Sequence, residues 1–535
     1  MGARRAFAEQ GSIEKVLIVL LVFTVAIRLA HLALIAPTPL IGFQREFVDS
    51  DMWFFDQWTQ RILAGDWLGR VRFHPLAAWQ LAAAPVEKWT EWYGAAPTFY
   101  KAPFYPYLLA VLAFMKVPVA GVFAVQAFAS GLSAWLLYRI SRTLFGEVAG
   151  LFSVALYALY APDIHFTTVL LRGPWAVLTT LLVTDRLLAV SARPSPGRAA
   201  LAGLAVAAAI VVNEAMTPLV ILAPLAVAAA GPSSRGLWKA GLGFTAGMLA
   251  GVAPVVARNV FVGAPPFQMA VTGSVVLAVF NSASSNPLAF SAGAENFAPV
   301  MRGSGTSLFQ VLAACAQSFP SNLDWVTFYL RKTAGLIAPF ENPDNLNFYY
   351  AAVVNPWLGW LPAYGTLLPL ALCGAFLAWP ERKALWWCWG PAVLALLVTI
   401  LLTLPLSRYR AVWAIHLIPL AGLVLSRALH WIREANIARL GGLAMALAVC
   451  AALEFATQSE VVFRGRSAGE MMYRPQEFVL AARMEASAGR FAAAAREMKQ
   501  LAALHPNHGV KAQALGLEAG YLAQAQGGDP SKNGR

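Results

Sequence analysis

The sequence predicts an all-α fold: a polytopic transmembrane helical bundle of about eleven to thirteen spans, with a large first extracytoplasmic loop and a small helical-repeat tail. Three observations predict it. Of 535 residues, 59% are hydrophobic and only 13% are charged, about half the charged share of a soluble protein. The apolar residues lie in continuous runs: Val16–Ile35, Val119–Tyr138, Leu201–Val212, Leu237–Val256, Trp357–Trp379, Leu385–Leu404 and Leu440–Leu453 are nearly free of charge. Several reach the roughly 20 residues that a helix needs to cross about 30 Å of hydrocarbon. The basic residues, finally, stand in short clusters between these runs, where they set topology.

The elements follow in order. Ala3–Lys15 is polar and basic and precedes an apolar stretch too long for a signal-peptide core, so the first span reads as an uncleaved anchor. Arg4, Arg5 and Lys15 place the N-terminus in the cytoplasm. The clusters Arg139/Arg142, Arg193/Arg198, Arg235/Lys239, Arg382/Lys383 and Arg427/Arg433/Arg439 then mark cytoplasmic turns. Phe104–Tyr138 is awkward: it is long enough for two short helices where one net crossing is wanted, and Phe104–Met115 reads as short or interfacial. This path puts three polar stretches outside: the first loop 37–103, a second segment 258–355, and a tail beyond a membrane domain of 1–456. The net charge of +13 is accounted for by topology, which leaves no call for nucleic acid. The four cysteines (Cys315, Cys373, Cys388, Cys450) have no metal-like spacing, and most lie in or beside spans, so no disulfide framework is expected. The seven histidines show no paired spacing beyond His505/His508 in the tail.

The first loop is the strongest local anomaly. It holds seven of the chain's 27 acidic residues and six of its 18 tryptophans. Trp79, Trp89 and Trp92 read as an aromatic belt at headgroup level. Phe55, Trp58 and Ile62 recur at helical spacing, with Asp56, Gln57 and Gln60 on another face, which predicts a short amphipathic helix closed by Gly65. Asp51, or Ser50 before it, is placed as its N-cap, so a structural cap is one reading of Asp51. Lys101, in "FYKAPFYPY", enters an apolar run where an ammonium meets lipid phosphate, with a nonspecific headgroup contact as the plainer reading.

The tail, 457–526, is Ala-rich and amphipathic. Counted from Pro475, Gly489, Ala494 and Pro506 fall where a tetratricopeptide repeat places its turn glycine, packing alanine and terminal proline, and Leu515-Gly516 begins a second, incomplete unit. A generic Ala-rich hairpin is the alternative. Residues 527–535 read as disordered.

The order of "DMWFFDQWTQRILAGD", "FYKAPFYPYLLAVL", "VQAFASGLSAWLLYRISRTLFG", "PVVARNVFVGAPP" and "SRYRAVWAIHLIPLAG" resembles that of bacterial membrane glycosyltransferases of family 39, in the GT-C superfamily. Protein O-mannosyltransferases and the lipid A aminoarabinose transferase belong to the same group. The resemblance spans roughly residues 15–430, and each motif is weak alone. It implies a polyprenyl-phosphate sugar donor, inversion at the anomeric carbon, and an extracytoplasmic acceptor that is a glycan, a lipid or a protein. It matches Asp51 to the family's catalytic loop aspartate, with Asp49 as the alternative. Lys101, Arg258, Arg408 and Arg410 match donor-phosphate positions, and Trp53, Trp58, Tyr100 and Tyr105 are the aromatic candidates for substrate contact. The chain departs from the pattern at Met52, where many relatives have Glu, and at Phe55, where tyrosine is usual. Arg172 and Glu214 stand where an acidic and a basic residue, respectively, are expected. A monophosphate leaving group needs no metal, and no cofactor is indicated. The implied setting is a bacterial inner membrane with a cytoplasmic N-terminus and an extracytoplasmic tail, which offers a surface for a protein partner. A transporter or flippase of lipid-linked substrates is the rival reading, with Asn213-Glu214 as its best site.

Overall fold

The computed structural model describes residues 2–48, 50–229, 234–289, 297–304, 307–379, 383–457 and 468–526. Asp49 and the tail end 527–535 lie outside the described residues. Every regular element among the described residues is helical, with no β-strand. The chain is a multi-pass membrane protein. Among the described residues, seven helices are long and apolar enough to cross a bilayer: Gly11–Ile35, Val119–Phe145, Gly173–Ala192, Gly236–Phe261, Pro356–Ala378, Ser407–Arg433 and Ile437–Ala456. Six shorter apolar helices accompany them: Phe104–Phe114, Glu147–Leu159, Pro196–Val212, Leu219–Ala229, Leu308–Gln317 and Gly390–Leu402.

Where the sequence predicts eleven to thirteen spans, seven helices among the described residues have spanning length and the other apolar helices are shorter, for local reasons. Pro196 opens one helix and the Asn213 turn closes it after 17 residues. Gly390 and Pro391 restart the run 385–404 as a 13-residue helix. Phe104–Phe114 is likewise a separate short helix, and it ends before Lys116, a non-glycine residue at φ 59°.

Ser407–Arg433 is the most buried of the spans and packs against Glu147–Leu159 and Tyr364–Ala378. Pro196–Val212 and Ser234–Phe261 make the tightest helix pair, through glycines. A Cβ on Gly203 would lie 2.0 Å from the Phe244 carbonyl oxygen, and one on Gly247 would lie 1.9 Å from that of Ala200. Small residues at this spacing let two backbones touch, which supplies packing energy where lipid offers no hydrophobic drive.

The first loop folds into four helices, Leu40–Glu46, Asp51–Leu63, Ala78–Ala83 and Val86–Tyr93. The predicted amphipathic helix forms, with Phe55, Trp58 and Ile62 buried and Gly65 at φ 109° beyond its end. Asp56, expected on a polar face, is instead buried, and pairs at 2.8 Å with Arg45, which is itself exposed. The tryptophan belt is also replaced. Trp89 and Trp92 are buried in a small core with Val275, Phe297 and Met301 from the second segment, and the Trp89 indole donates to the Gln80 carbonyl at 2.9 Å. Two polar stretches bury their aromatics against each other rather than against headgroups.

In the described part of the tail, a short helix, Ala468–Met472, precedes three longer ones packed in succession, Pro475–Ser487, Phe491–Leu504 and His508–Ala525. Gly489 takes φ 75° at the first turn and Ala494 is fully buried.

Candidate active site

Asp51, Lys101 and Arg408 meet at the head of the bundle, brought there by three helix starts. Ser50 caps the first: its hydroxyl accepts the Trp53 amide at 3.1 Å. The Asp51 side chain is therefore not the cap, and its own amide donates to Asn345 Oδ1 at 3.0 Å. One carboxylate oxygen of Asp51 accepts from Lys101 Nζ, just before helix Phe104–Phe114, and the other accepts from Arg408 Nη1, in the first turn of the deepest span. Arg408 Nε also faces Asp344 Oδ2 at 2.5 Å, and its Nη2 donates to the Tyr409 hydroxyl at 2.8 Å. All four charged side chains keep only 16–22% of their exposure. Burial alone pushes the Asp51 carboxyl up, but Lys101 and Arg408 overcome it and hold it well below the usual carboxylate range. Burial lowers the Lys101 ammonium, with Asp51 opposing it.

A second ion pair flanks the first. Arg172, at the start of Gly173–Ala192, grips Glu214 at two points, with Nη2 to Oε1 at 2.9 Å. Glu214 also accepts the Ala102 amide at 3.1 Å, which ties down the turn that carries Lys101. Between these pairs opens a cavity that is partly continuous with the outside. Asp51, Arg172 and Arg408 line it beside an apolar wall of Phe55, Phe166, Val177 and Val412. Asp163 also lines it and pairs with the buried Arg28 of the first span at 2.6 Å.

The other candidates stand apart from this cluster. Arg258 donates to the Leu68 carbonyl at 2.6 Å, to the Gly69 carbonyl and to Asn259, and its guanidinium lies 3.9 Å from the Phe99 ring centre. It pins the first loop. Arg410 is fully buried and donates to the carbonyls of Ala338 and Phe340 and to Glu341. It braces the chain next to Arg408. Tyr105 is buried with its hydroxyl donating to Gln126 at 2.8 Å, and Trp58 is buried against Phe54 and Phe99. Tyr100 packs on Phe54, and Trp53 is half-buried on the same helix as Asp51.

Sequence reasoning missed the segment 341–347. Glu341 accepts from Ser407 at 2.6 Å, Asn342 accepts the Ser407 amide at 2.9 Å, Asp344 pairs with Arg408, and Asn345 holds Asp51. Its sequence, "ENPDNLN", is a polar run ahead of an apolar span and carries no signal that sets it apart from other external loops. Among the described residues, no three His, Cys, Asp or Glu side chains gather as a metal-ligand set.

No family model matches the chain, and no curated protein matches it. Solved structures do. The apo oligosaccharyltransferase of Archaeoglobus fulgidus aligns at 14% identity and a TM-score of 0.43, over 85% of this chain and 56% of that one. ArnT from Cupriavidus metallidurans, bound to undecaprenyl phosphate, aligns at 15% identity and a TM-score of 0.36, over 90% of this chain and 79% of its own. The chain thus spans a little over half the length of the archaeal protein.

Proposed function

We propose that the chain is a membrane glycosyltransferase that moves a sugar from a polyprenyl-phosphate donor to an extracytoplasmic acceptor hydroxyl, with inversion and with Asp51 as general base. One observation carries the reading: a helix-opening carboxylate that is not spent as the cap is held by Lys101 and Arg408, and with Arg408 it lines a cavity with an apolar wall. A lipid-linked anionic sugar needs all three parts, namely cations for phosphate, apolar walls for lipid and a carboxylate for the acceptor's proton. As the acceptor oxygen attacks the anomeric carbon, its proton passes to Asp51. The bond to the phosphate oxygen breaks through an oxocarbenium-like transition state. The electron pair leaves on the phosphate, where Lys101 and Arg408 stabilise it. The incoming phosphate competes with Asp51 for both cations, and a carboxylate relieved of them is the better base.

Charge supports the sidedness. Asp185 lies roughly 20 Å along the same helix from Arg172, at 1.5 Å per residue, and it pairs there with Arg139 at 2.9 Å. With that basic end cytoplasmic, the site and the tail beside it face outward from an inner membrane. The tail's turn spacing is that of a tetratricopeptide-like unit, a surface suited to a protein partner. Transport of a lipid-linked substrate is the second reading, favoured by the Arg28–Asp163 pair buried at the first span.

The test is transfer from a radiolabelled polyprenyl-phosphate sugar in membranes, with expression and melting temperature recorded. Asp51→Asn is expected to lose about 10²–10⁴-fold while remaining folded. Asp49→Asn is expected to be milder. If both variants stay active, the enzyme reading of this loop fails. Translocation of intact donor without transfer would favour the transporter.

A further inference from the structure

The segment that holds the site is itself held from two sides. On the bundle side, Asn342 donates to the Pro405 carbonyl at 3.3 Å and His165 Nε2 lies 3.2 Å from the Leu346 carbonyl. On the other side stands the tail. Arg474 Nη2 donates to the Asp344 carbonyl at 3.0 Å, and Asn347 Nδ2 donates to the Met472 carbonyl at 2.6 Å. The Tyr350 hydroxyl donates to Glu497 at 3.1 Å, and its ring meets that of Phe478 edge-on at 4.8 Å. Tyr350 and Phe478 are both fully buried.

These contacts bracket the two residues that touch the site. Asp344 lies between its carbonyl, held by Arg474, and its carboxylate, which faces Arg408. Asn345, next along, accepts the Asp51 amide. Arg474 is itself fixed by Glu477 in the first turn of its helix. A continuous chain of polar contacts therefore runs from tail to carboxylate: Arg474, Asp344, Arg408, Asp51. Segment 341–347 is not regular helix, so its geometry depends on partners rather than on its own backbone ladder.

We propose that the C-terminal helical tail is a positioning element for the site, in which Arg474, Tyr350 and Phe478 fix segment 341–350 so that Asp344 and Asn345 orient Arg408 and Asp51. The proposal rests on the glycosyltransferase reading for its catalytic consequence but not for the coupling itself. None of these three residues touches the reacting atoms.

The experiment uses the full chain in lipid nanodiscs and has two readouts, amide hydrogen exchange and transfer kinetics. In Arg474→Ala and Phe478→Ala, exchange over 341–350 is expected to rise while the long spans keep their protection. The kcat for transfer is expected to fall about two- to thirtyfold, the usual size of such coupling. Arg474→Lys should recover part of both. Tyr350→Phe keeps the ring packing and removes only the bond to Glu497, so it reports on the contact even where Phe478→Ala fails to fold. Unchanged exchange over 341–350 in Arg474→Ala and Tyr350→Phe would overturn the proposal. Raised exchange with undiminished transfer would overturn it equally. Raised exchange in a protein whose wild type transfers no sugar leaves the coupling standing and removes the glycosyltransferase reading instead.

Discussion

Arg172 and Glu214 carry each other's expected charge and still bind. The resemblance calls for an acid at the first position and a base at the second, and the chain has the pair reversed, gripped at two points across 42 residues. An ion pair in a shielded rim depends on opposite signs at close range, not on which partner carries which sign. The exchange nonetheless alters the cavity, because it puts a guanidinium on the wall beside Arg408.

Single reversal of either residue, Arg172→Glu or Glu214→Arg, is therefore expected to cost about 3–5 kcal/mol, the usual penalty for an uncompensated buried charge. The double exchange should restore the melting temperature in detergent. It should not restore sugar transfer, because the cavity wall then carries a carboxylate and the Ala102 amide loses its acceptor. Full recovery of both would show that the sign of the wall is immaterial.

Lys101→Ala removes a charge-assisted contact worth about 1.5–3 kcal/mol, so use of the lipid donor should fall about ten- to a hundredfold. Lys101→Arg should keep part of the activity, since charge is retained and shape is not. The donor dependence of initial rates decides this, and an unchanged alanine variant would make Lys101 a headgroup anchor.

Gly247→Leu should separate helices Pro196–Val212 and Ser234–Phe261, because even a Cβ meets the Ala200 carbonyl oxygen at 1.9 Å. Overpacking of this kind costs about 1–3 kcal/mol or more. Gly241→Leu, on the same helix with nothing within 4 Å of its Cβ position, should be silent. Melting temperatures of the two variants in one detergent compare them directly.

Burial pushes the Glu497 carboxyl up from 4.5 to about 7, with the Tyr350 hydroxyl opposing it, Glu485 adding to it and Arg496 lowering it. A folded-state value above the unfolded one means that the folded tail binds the proton more tightly. Its stabilising effect is then complete below about pH 4.5 and is lost as pH rises through about 7. Exchange in helix Phe491–Leu504, normalised to an unfolded control, should rise across that window. Glu497→Gln should flatten the rise.

Much of this architecture was legible in the sequence, for definite reasons. Long apolar runs have few ways to exist in water, so Val119–Tyr138 and Leu440–Leu453 could be read as spans without further information. The helix after Ser50 was legible because its period and its cap are local. The resemblance grouped Lys101, Arg258, Arg408 and Arg410 without saying which would meet Asp51, since nothing local to Arg408 points 357 residues back along the chain. Segment 341–347 was not legible. Its asparagines and acids have the composition of any external loop, and only their partners in other elements give them meaning. The tryptophans of the first loop misled because burial between two external segments and burial at a headgroup layer ask for the same residue.

The Arg28–Asp163 pair sets an order of events during synthesis. Arg28 leaves the ribosome 135 residues ahead of its partner. At about 5–20 residues per second, Asp163 follows roughly 7–27 s behind. Throughout that interval the guanidinium has its own helix's Thr24 carbonyl but not its carboxylate, and an arginine at a span's centre costs up to about 2.5–3.5 kcal/mol. The ion pair can close only when helix Ala161–Phe166, which carries Asp163, has been made. The earlier-made partner thus comes to rest only with the later one.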